Sequence, residues 1–390
     1  MADLAKGAVF VKSEGLRGDE KLVRGVVSDS SSAEERIRQL PQVVSGLATT
    51  GFQATNFGNA ARIVESFLVQ RFAPQPPPEV SEDPDIVTVQ RPPIELYMGL
   101  TANLLGTGVR ESVLLLVKHK LVDYLVITGG GVEHDVRRAV SPSAYLVEGS
   151  SPLPAPWSSW PRFGNVRYEK HNAAFERVLT DIFRELSVEQ KKVREECATK
   201  PIPDSYEDVC HWAMGPSDIW REVGLRLPRH SSQDIAETSV AYWAAVNNIP
   251  IYSPSFTDGD AMELLLARDV PLKVDLVADI HRLNKSAMSA KKTMMIILGG
   301  GVAKHHVCNA NLMRNGADLS IFINNAQEYD GSDAGARPDE AVSWGKIRLD
   351  GESVKIYAEI TLVFPLLVAH AILPGLRQHL QKQRQSDLQA

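Results

Sequence analysis

The sequence is poor in cysteine, with three in 390 residues, at positions 197, 210 and 308. An odd number, widely separated and without a CxxC pair, argues against a disulfide framework or a zinc site and for a reducing compartment. Long apolar runs are also lacking. Stretches such as LVFPLLVA at 362–369 fall short of the ~20 residues that crossing a bilayer requires. The start, MADLAKGAVFVKSEG, has no apolar core of the signal-peptide kind. Positive charge is not in excess. A net charge of −6 and an isoelectric point near 6.0 give no electrostatic case for nucleic acid and mildly favour cationic partners. The absences together lead us to expect a cytoplasmic protein with neither nucleic acid nor membrane among its partners. What remains is ordinary for a globular chain: 44% hydrophobic and 23% charged residues, enough for one large domain or two.

Residues 1–35 are mixed and charged and read as a mobile N-terminal arm. Residues 36–72 read as two helices around GLATTGFQATNFGNA, an N-terminal helical extension. Seven prolines at 73–93 mark an extended loop, and GSSPLPAPWSSWP marks a second at 149–161. From residue 95 the pattern alternates. IELYMGL and YLVIT read as buried strands, with GVRESVLLLVKHKL between them as a helix. Later strands are TMMIILGGG, LSIFIN and VKIYAEI; later helices are YEKHNAAFERVLTDIFRELSVEQKKVREEC and VDLVADIHRLNKSAM. This is the signature of an α/β fold with a mostly parallel, Rossmann-like sheet flanked by helices. One such domain is expected over 36–380, followed by a polar tail at 381–390.

Two strands run into three glycines, in DYLVITGGGVEHD (123–135) and TMMIILGGGVAKHH (293–306). Glycine permits close backbone approach, and ligands of open α/β sheets bind beyond the carboxyl ends of the strands. Tight strand-to-helix turns explain the same pattern, and neither unit is a GxGxxG fingerprint. LTANLLGTGVRE (100–111) adds a third such turn, whose backbone N–H groups suit a pyrophosphate. Farther on, EYDGSDAGARPDEAVSWGKI (328–347) places Glu328, Asp330, Asp333, Asp339 and Glu340 ahead of Trp344 and Lys346. Acidic runs are ordinarily solvated loops. Interleaved with Gly, Ser and Pro after an apolar strand, these acids also have the composition of a loop over a cation pocket. A lone lysine is ordinarily a surface residue; as a nucleophile Lys346 would have to lose its proton. His305 and His306, adjacent on a helix, point in different directions and make a poor metal pair, so no metal site is expected.

The stretches GFQATNFG, GGGVEHD, SPSFTDG, LGGGVAKHH, NANLMRNGAD, NNAQEYDGSDAGARPDEAVSWGKI and FPLLVA occur in this order. Together they resemble the deoxyhypusine synthase family, from about residue 45 to 370. The resemblance implies an NAD-dependent transferase, typically tetrameric, that moves the aminobutyl group of spermidine onto one lysine of the translation initiation factor 5A precursor. It implies Lys346 as the nucleophile that carries the butyl fragment as an imine, and His305 as the group moving protons beside it. It implies Glu133, Glu263, Asn309, Gly331, Asp333, Glu340 and Trp344 around spermidine. It implies Asn103, Thr107, Thr128, Gly129, Gly130, His134, Asp258, Gly300, Gly301, Asn325, Ala326, Asp330 and Glu359 around NAD.

The departures from the family pattern gather on the cofactor side. Ala102 and Gly106 stand where the family has serines, and His134 where it has a second acid. Glu359 replaces an Asp and Asn325 a Thr. Two alternatives to a self-sufficient homotetramer follow: a partner-dependent or regulatory subunit of a heterotetramer with a paralogue, and a homospermidine synthase, which shares the nucleophile and differs in the acceptor.

Overall fold

The computed structural model describes residues 42, 44–75, 91–147, 161–199 and 212–388. The arm expected at 1–35, residues 76–90 and 149–160 of the two expected loops, and the last two residues of the expected tail lie outside the described residues. The chain forms two compact units, Met1–Gly58 and Asn59–Ala390. A 3-10 turn at Leu47–Thr49 in the first precedes α1 (Phe52–Arg71), which starts in the first unit and ends in the second. The two helices expected around this stretch are present, helical residues at 42 and 44–46 being separated from α1 by the break at Gly51 (φ 106°), and α1 runs unbroken through Gly58. A Cβ at Gly58 would collide with the backbone of Ala48, so this glycine serves close packing, not a break.

The second unit is built on a six-stranded sheet. β1 (Glu95–Leu100), α2 (Val109–Lys118), β2 (Tyr124–Ile127) and α3 (Gly129–Val140) form its first strand–helix alternation. β3 (Tyr145–Val147), β4 (Arg162–Phe163) and β5 (Val166–Tyr168) leave the sheet and pair antiparallel with each other in the order β3-β5-β4. Helices α4 (Ala173–Cys197), α5 (Pro216–His230), α6 (Gln233–Ala236) and α7 (Val240–Val246) follow. The chain then returns to the sheet through β6 (Ile251–Tyr252), α8 (Ala261–Ala267), α9 (Leu276–Ser289), β7 (Thr293–Leu298), α10 (Gly301–Leu312), β8 (Ala317–Asn324), α11 (Pro338–Ser343) and β9 (Ile347–Tyr357). It ends with α12 (Ile360–Leu367) and α13 (Leu373–Asp387).

Every pairing in the large sheet is parallel, in the order β6-β2-β1-β7-β8-β9. Counted along the chain, that is strand order 3-2-1-4-5-6, the doubly wound dinucleotide-fold arrangement whose topological switch lies between β1 and β7. β1 and β7 are buried along their whole length, which is why they read as continuous apolar runs and not as alternating ones. Gly99 in β1 lets α10 pack close: a Cβ there would stand 3.2 Å from Val307 Cγ2 and 3.3 Å from the Ala303 carbonyl.

The C-terminal helices correct one sequence expectation. α12 and α13 join through a π-turn at Val368–Ile372 into one helix, Ile360–Ser386, whose length and mean hydropathy of 1.7 match a membrane-crossing segment by composition alone. The apolar run looked too short because it was read to end at residue 369, inside the π-turn. The wide turn sits at His370, four residues before Pro374, and there relieves the clash a proline ring makes with that carbonyl. Phe364 and Leu367 are fully buried, so one face of this helix belongs to the core. The tail expected from 381 is helical through Asp387. Cys308 is free and buried in the sheet–α10 core.

Candidate functional site

The residues singled out by the sequence gather in two groups. The first lies beyond the carboxyl ends of β1, β2 and β6. There Thr101, Ala102, Asn103, Gly130, Glu133, His134, Arg137, Tyr168, Asp258, Gly259 and Asp260 line a cavity of about 340 Å³. Gly129 donates its N–H to the Ser255 carbonyl at 3.0 Å, and Gly130 donates to the Asp258 carbonyl. These two glycines therefore let the 255–259 loop settle onto the β2 turn, and their N–H groups are committed to it. Thr107 commits its hydroxyl to the Leu104 carbonyl at 2.7 Å. Thr128 keeps a buried hydroxyl oxygen without a hydrogen-bond partner.

The acids of α3 are committed as well. Glu133 accepts from the backbone N–H of Asp260 and, at 2.9 Å, of Ala261, and so caps the orphan donors at the start of α8. Burial pushes its carboxyl up to about 7, against the pull of those hydrogen bonds. Asp135 does the same for α7, accepting from Ser239 Oγ and from the N–H groups of Val240 and Ala241, with Arg110 Nε 2.6 Å away. Between them His134 is enclosed by the rings of Tyr145, Phe163 and Tyr168, with Nδ1 2.6 Å from the Tyr145 hydroxyl. Burial, reinforced by Arg137 and Arg138, drives its imidazole down to about 3, so it is neutral. Asp258 is exposed beside them, and Glu263 is exposed and paired with Lys170 at 3.3 Å.

The second group lies along α10 and the loop that crosses from β8 to β9. A Cβ at Gly300 would overlap Ala334, so the second glycine triplet draws the Asp333–Gly335 turn onto the start of α10. His305 and Asn309 stand one helical turn apart on α10, and His305 Nδ1 is 4.0 Å from Asp333 Oδ2. That oxygen is buried and has no hydrogen-bond partner. His306 faces inward, and burial pushes it down to about 4, with His305 adding to the shift. Gly331 takes a left-handed φ of 77° in the same loop, and Asp330 accepts from the Ser332 N–H at 2.7 Å. Asn325 is exposed, and Ala326 donates to Asn324 Oδ1 at 3.2 Å. Gly301 opens α10 with φ of 64°. Glu359 caps α12, accepting from Leu362 N–H at 2.9 Å and Thr361 Oγ1 at 2.6 Å. Burial opposes its charge, but those hydrogen bonds hold its carboxyl below the usual range.

Lys346 is placed by helix-end chemistry. α11 ends in a Schellman turn: Gly345 (φ 72°) donates to the Val342 carbonyl and Lys346 to the Ala341 carbonyl, both at 2.9 Å. The lysine is 8% exposed and its ammonium lies 5.8 Å from the Trp344 ring, while Trp344 itself is 63% exposed. Glu340 is exposed on the same short helix. The backbone of Lys346 leads into β9 and accepts from Ala317 N–H, so it stands at the amino edge of the sheet, opposite the turns of the first group.

Sequence reasoning did not find Lys304. It is 2% exposed, donates to the carbonyls of Asp333 and, at 3.1 Å, Ala336, and lies 5.0 Å over the Phe322 ring. It pins the acidic turn to α10, and burial lowers its pKa. The signal was available: Ala303, Lys304, Val307, Cys308 and Asn311 form the buried stripe of α10.

The family model for deoxyhypusine synthase matches residues 42–371. This chain belongs to the deoxyhypusine synthase family. A deoxyhypusine synthase of Trypanosoma brucei brucei is 39% identical over 99% of this chain and 99% of its own, and one of Candida glabrata is 38% identical over 96% and 97%. Homospermidine synthase 2 of Senecio vernalis is 38% identical over 94% of this chain and 93% of its own. A crystal structure from Entamoeba histolytica, described as a candidate deoxyhypusine synthase, superposes with a TM-score of 0.55 at 26% identity, covering 90% of this chain and 96% of that one. Membership in the deoxyhypusine synthase family makes the chain a transferase, and the doubly wound sheet is the expected fold.

Proposed function

We propose that this chain transfers the aminobutyl group of spermidine to a lysine of the factor 5A precursor, with Lys346 as the carrier. The observation that carries the reading is the pairing of Lys346, buried at a fixed helix end, with Asp333 and Glu340 of the stretch that precedes it; Glu328 and Asp339 of that stretch are already paired with Arg337, at 3.0 and 3.3 Å. Asp333 Oδ2 is buried without a hydrogen-bond partner, 4.0 Å from His305 Nδ1, and Glu340 forms no ion pair among the described residues. Both suit ammonium groups of a polyamine. Trp344 offers an exposed face to its methylene chain, and His305, next to Asp333, is within reach to move a proton as amines exchange. Lys346 forms the imine to the butyl carbon as 1,3-diaminopropane leaves, then yields that carbon to the acceptor lysine.

NAD is part of the same reading. The residues present fit it on one side, through the unpartnered Thr128 hydroxyl and the exposed side chains of Asn103 and Asp258 around the cavity. NAD would supply the hydride acceptor for oxidation at the amine-bearing carbon and the hydride donor for reduction of the final imine, with Thr128, Asn103 and Asp258 as the residues that would hold it. The experiment is transfer of labelled aminobutyl from spermidine to the precursor, with Lys346→Ala alongside. Undiminished transfer by that variant overturns the reading.

A second reading is favoured by His134 and by the position of Lys346 at the amino edge of the sheet. Lys346 and the turns of the first group lie at opposite edges of the sheet, and on this reading cofactor and lysine for one reaction come from two chains, in a homotetramer or in a heterotetramer with a paralogue. Purified chain that carries out full transfer alone excludes the paralogue. Cytoplasmic localisation completes the proposal.

A further inference from the structure

Two unusual features of the cofactor side meet at one ring. A Cβ at Gly106 would overlap Cζ of Phe163, so residue 106 has no side chain where Phe163 stands. The same ring lies 5.2 Å from the His134 imidazole and 5.8 Å from the Tyr168 ring. Phe163 is held there. It sits on β4, paired to β5 at Val166, and its neighbours Tyr145 and Tyr168 stack with centroids 5.7 Å apart. The ring is wedged between the β1 turn and α3, and a group pushing from position 106 would drive it into the imidazole. The two guanidiniums that face His134 are already engaged. Arg137 is bound to Asp260 and stacked 3.9 Å over Phe175; Arg138 is bound to Glu111 at 3.0 Å and to the Thr107 carbonyl at 2.6 Å. Neither is free to answer a carboxylate placed at 134.

We propose that Phe163 is the specificity-determining residue of this side of the groove. Its ring takes the space of a side chain at 106 and closes an aromatic box that admits an imidazole at 134 and refuses a carboxylate. A dinucleotide therefore meets aromatic edges and an imidazole at this wall, and the cavity's aspartates, Asp258 and Asp260, lie on the loop before α8. Positions 106, 134 and 163 act as one unit, so an acid at 134 gains a ligand contact only after the ring is removed. This rests on the cofactor reading given above.

The test uses the full chain in six forms: unchanged, Gly106→Ser, Phe163→Ala, the double variant of these two, His134→Glu, and the triple. Thermal unfolding needs no cofactor and tests the steric lock. Gly106→Ser is expected to lower the midpoint by about 2 °C or more with Phe163 present, and by much less in the Phe163→Ala background. An equal loss in both backgrounds overturns the lock. Calorimetric titration with NAD tests the box. His134→Glu alone is expected to leave affinity unchanged or weaker, whereas the triple variant binds about tenfold more tightly than the unchanged chain or better. A tenfold gain from His134→Glu alone, or no gain in the triple, overturns the proposal. If none of the six binds NAD, the cofactor reading itself fails and takes the ligand half of this proposal with it, while the unfolding cycle still decides the Phe163–Gly106 lock.

Discussion

The two halves of the candidate site treat charge in opposite ways. Around the β1, β2 and β6 turns nearly every ionisable group already has a partner within the chain: Glu133 with the start of α8, Asp135 with the start of α7, Arg137 with Asp260, and His134 neutral among rings. Along α10 and the crossing loop, Asp333 Oδ2 has no donor, Glu340 and Trp344 face outward, and the buried ammonium groups are Lys304 and Lys346. The first half is a closed frame in which acids hold helices. In the second, Arg337 answers Glu328 and Asp339, while Asp333 and Glu340 keep charge that a cationic ligand can meet beside a sheltered lysine. An acid near a cavity is therefore evidence for binding only when its carboxylate has nothing else to do.

The comparison is broken most severely by removing the lysine. Lys346→Ala is expected to lower aminobutyl transfer by ~10³-fold or more, since no other group takes the covalent role. Borohydride trapping with labelled spermidine, followed by peptide mass analysis, should label Lys346 in the unchanged chain. A label elsewhere breaks the assignment.

The frame half is tested by pH. Glu133 has its carboxyl raised from 4.5 to about 7, so between those values the folded chain binds more protons than the unfolded one, and its contribution to stability falls as pH rises. The loss across that window is about 3 kcal/mol. His134 is lowered from 6.5 to about 3, so its contribution falls as pH drops from 6.5 to 3. The two slopes oppose each other between 4.5 and 6.5. Denaturant midpoints of Glu133→Gln should retain the acid-side loss and shed the decline toward pH 7. A variant with the same profile as the unchanged chain would show that Glu133 is not the source.

Lys304→Met sharpens the contrast from the other side. It leaves the carbonyls of Asp333 and Ala336 without their buried donor, at a cost of about 2–3 kcal/mol, and frees the acidic turn from α10. Spermidine affinity should fall with stability, and arginine at 304 should restore part of both. Loss of stability with unaltered spermidine affinity would confine Lys304 to the core.

Asp333→Asn removes one charge-assisted partner of the polyamine and should weaken spermidine binding by about 1.5–2 kcal/mol, roughly tenfold, with little change in unfolding midpoint. The smallest effect is expected at Gly345. Gly345→Ala strains a left-handed φ of 72° by about 1 kcal/mol and should move the midpoint slightly. A larger drop in transfer than in stability would show that the Schellman turn aims Lys346.

Some of this was legible in the chain. Each strand–glycine unit was found with its strand, and the alternation from residue 95 announced the parallel sheet that β1, β2, β7 and β8 form. The small antiparallel sheet was not, because its strands are two or three residues long and flank a proline-rich stretch that reads as loop. Glu133 was placed near a ligand by resemblance; its role at α8 was invisible because the N–H groups it meets lie 127 and 128 residues away in sequence. The glycines of the first triplet were read either as an approach for a ligand or as a tight strand-to-helix turn, and the 255–259 loop, which takes the N–H groups of Gly129 and Gly130, favours the second.

The sequence alone determined what is local or periodic: buried strands from continuous apolar runs, the turn that sets Lys346 after Gly345, and the acids interleaved with Gly, Ser and Pro ahead of it. Tertiary structure decided which charges remain available. A carboxylate looks the same in sequence whether it meets water, a ligand or the end of a distant helix, and only packing brings those helix ends, and the Phe163 ring, to the positions that answer it.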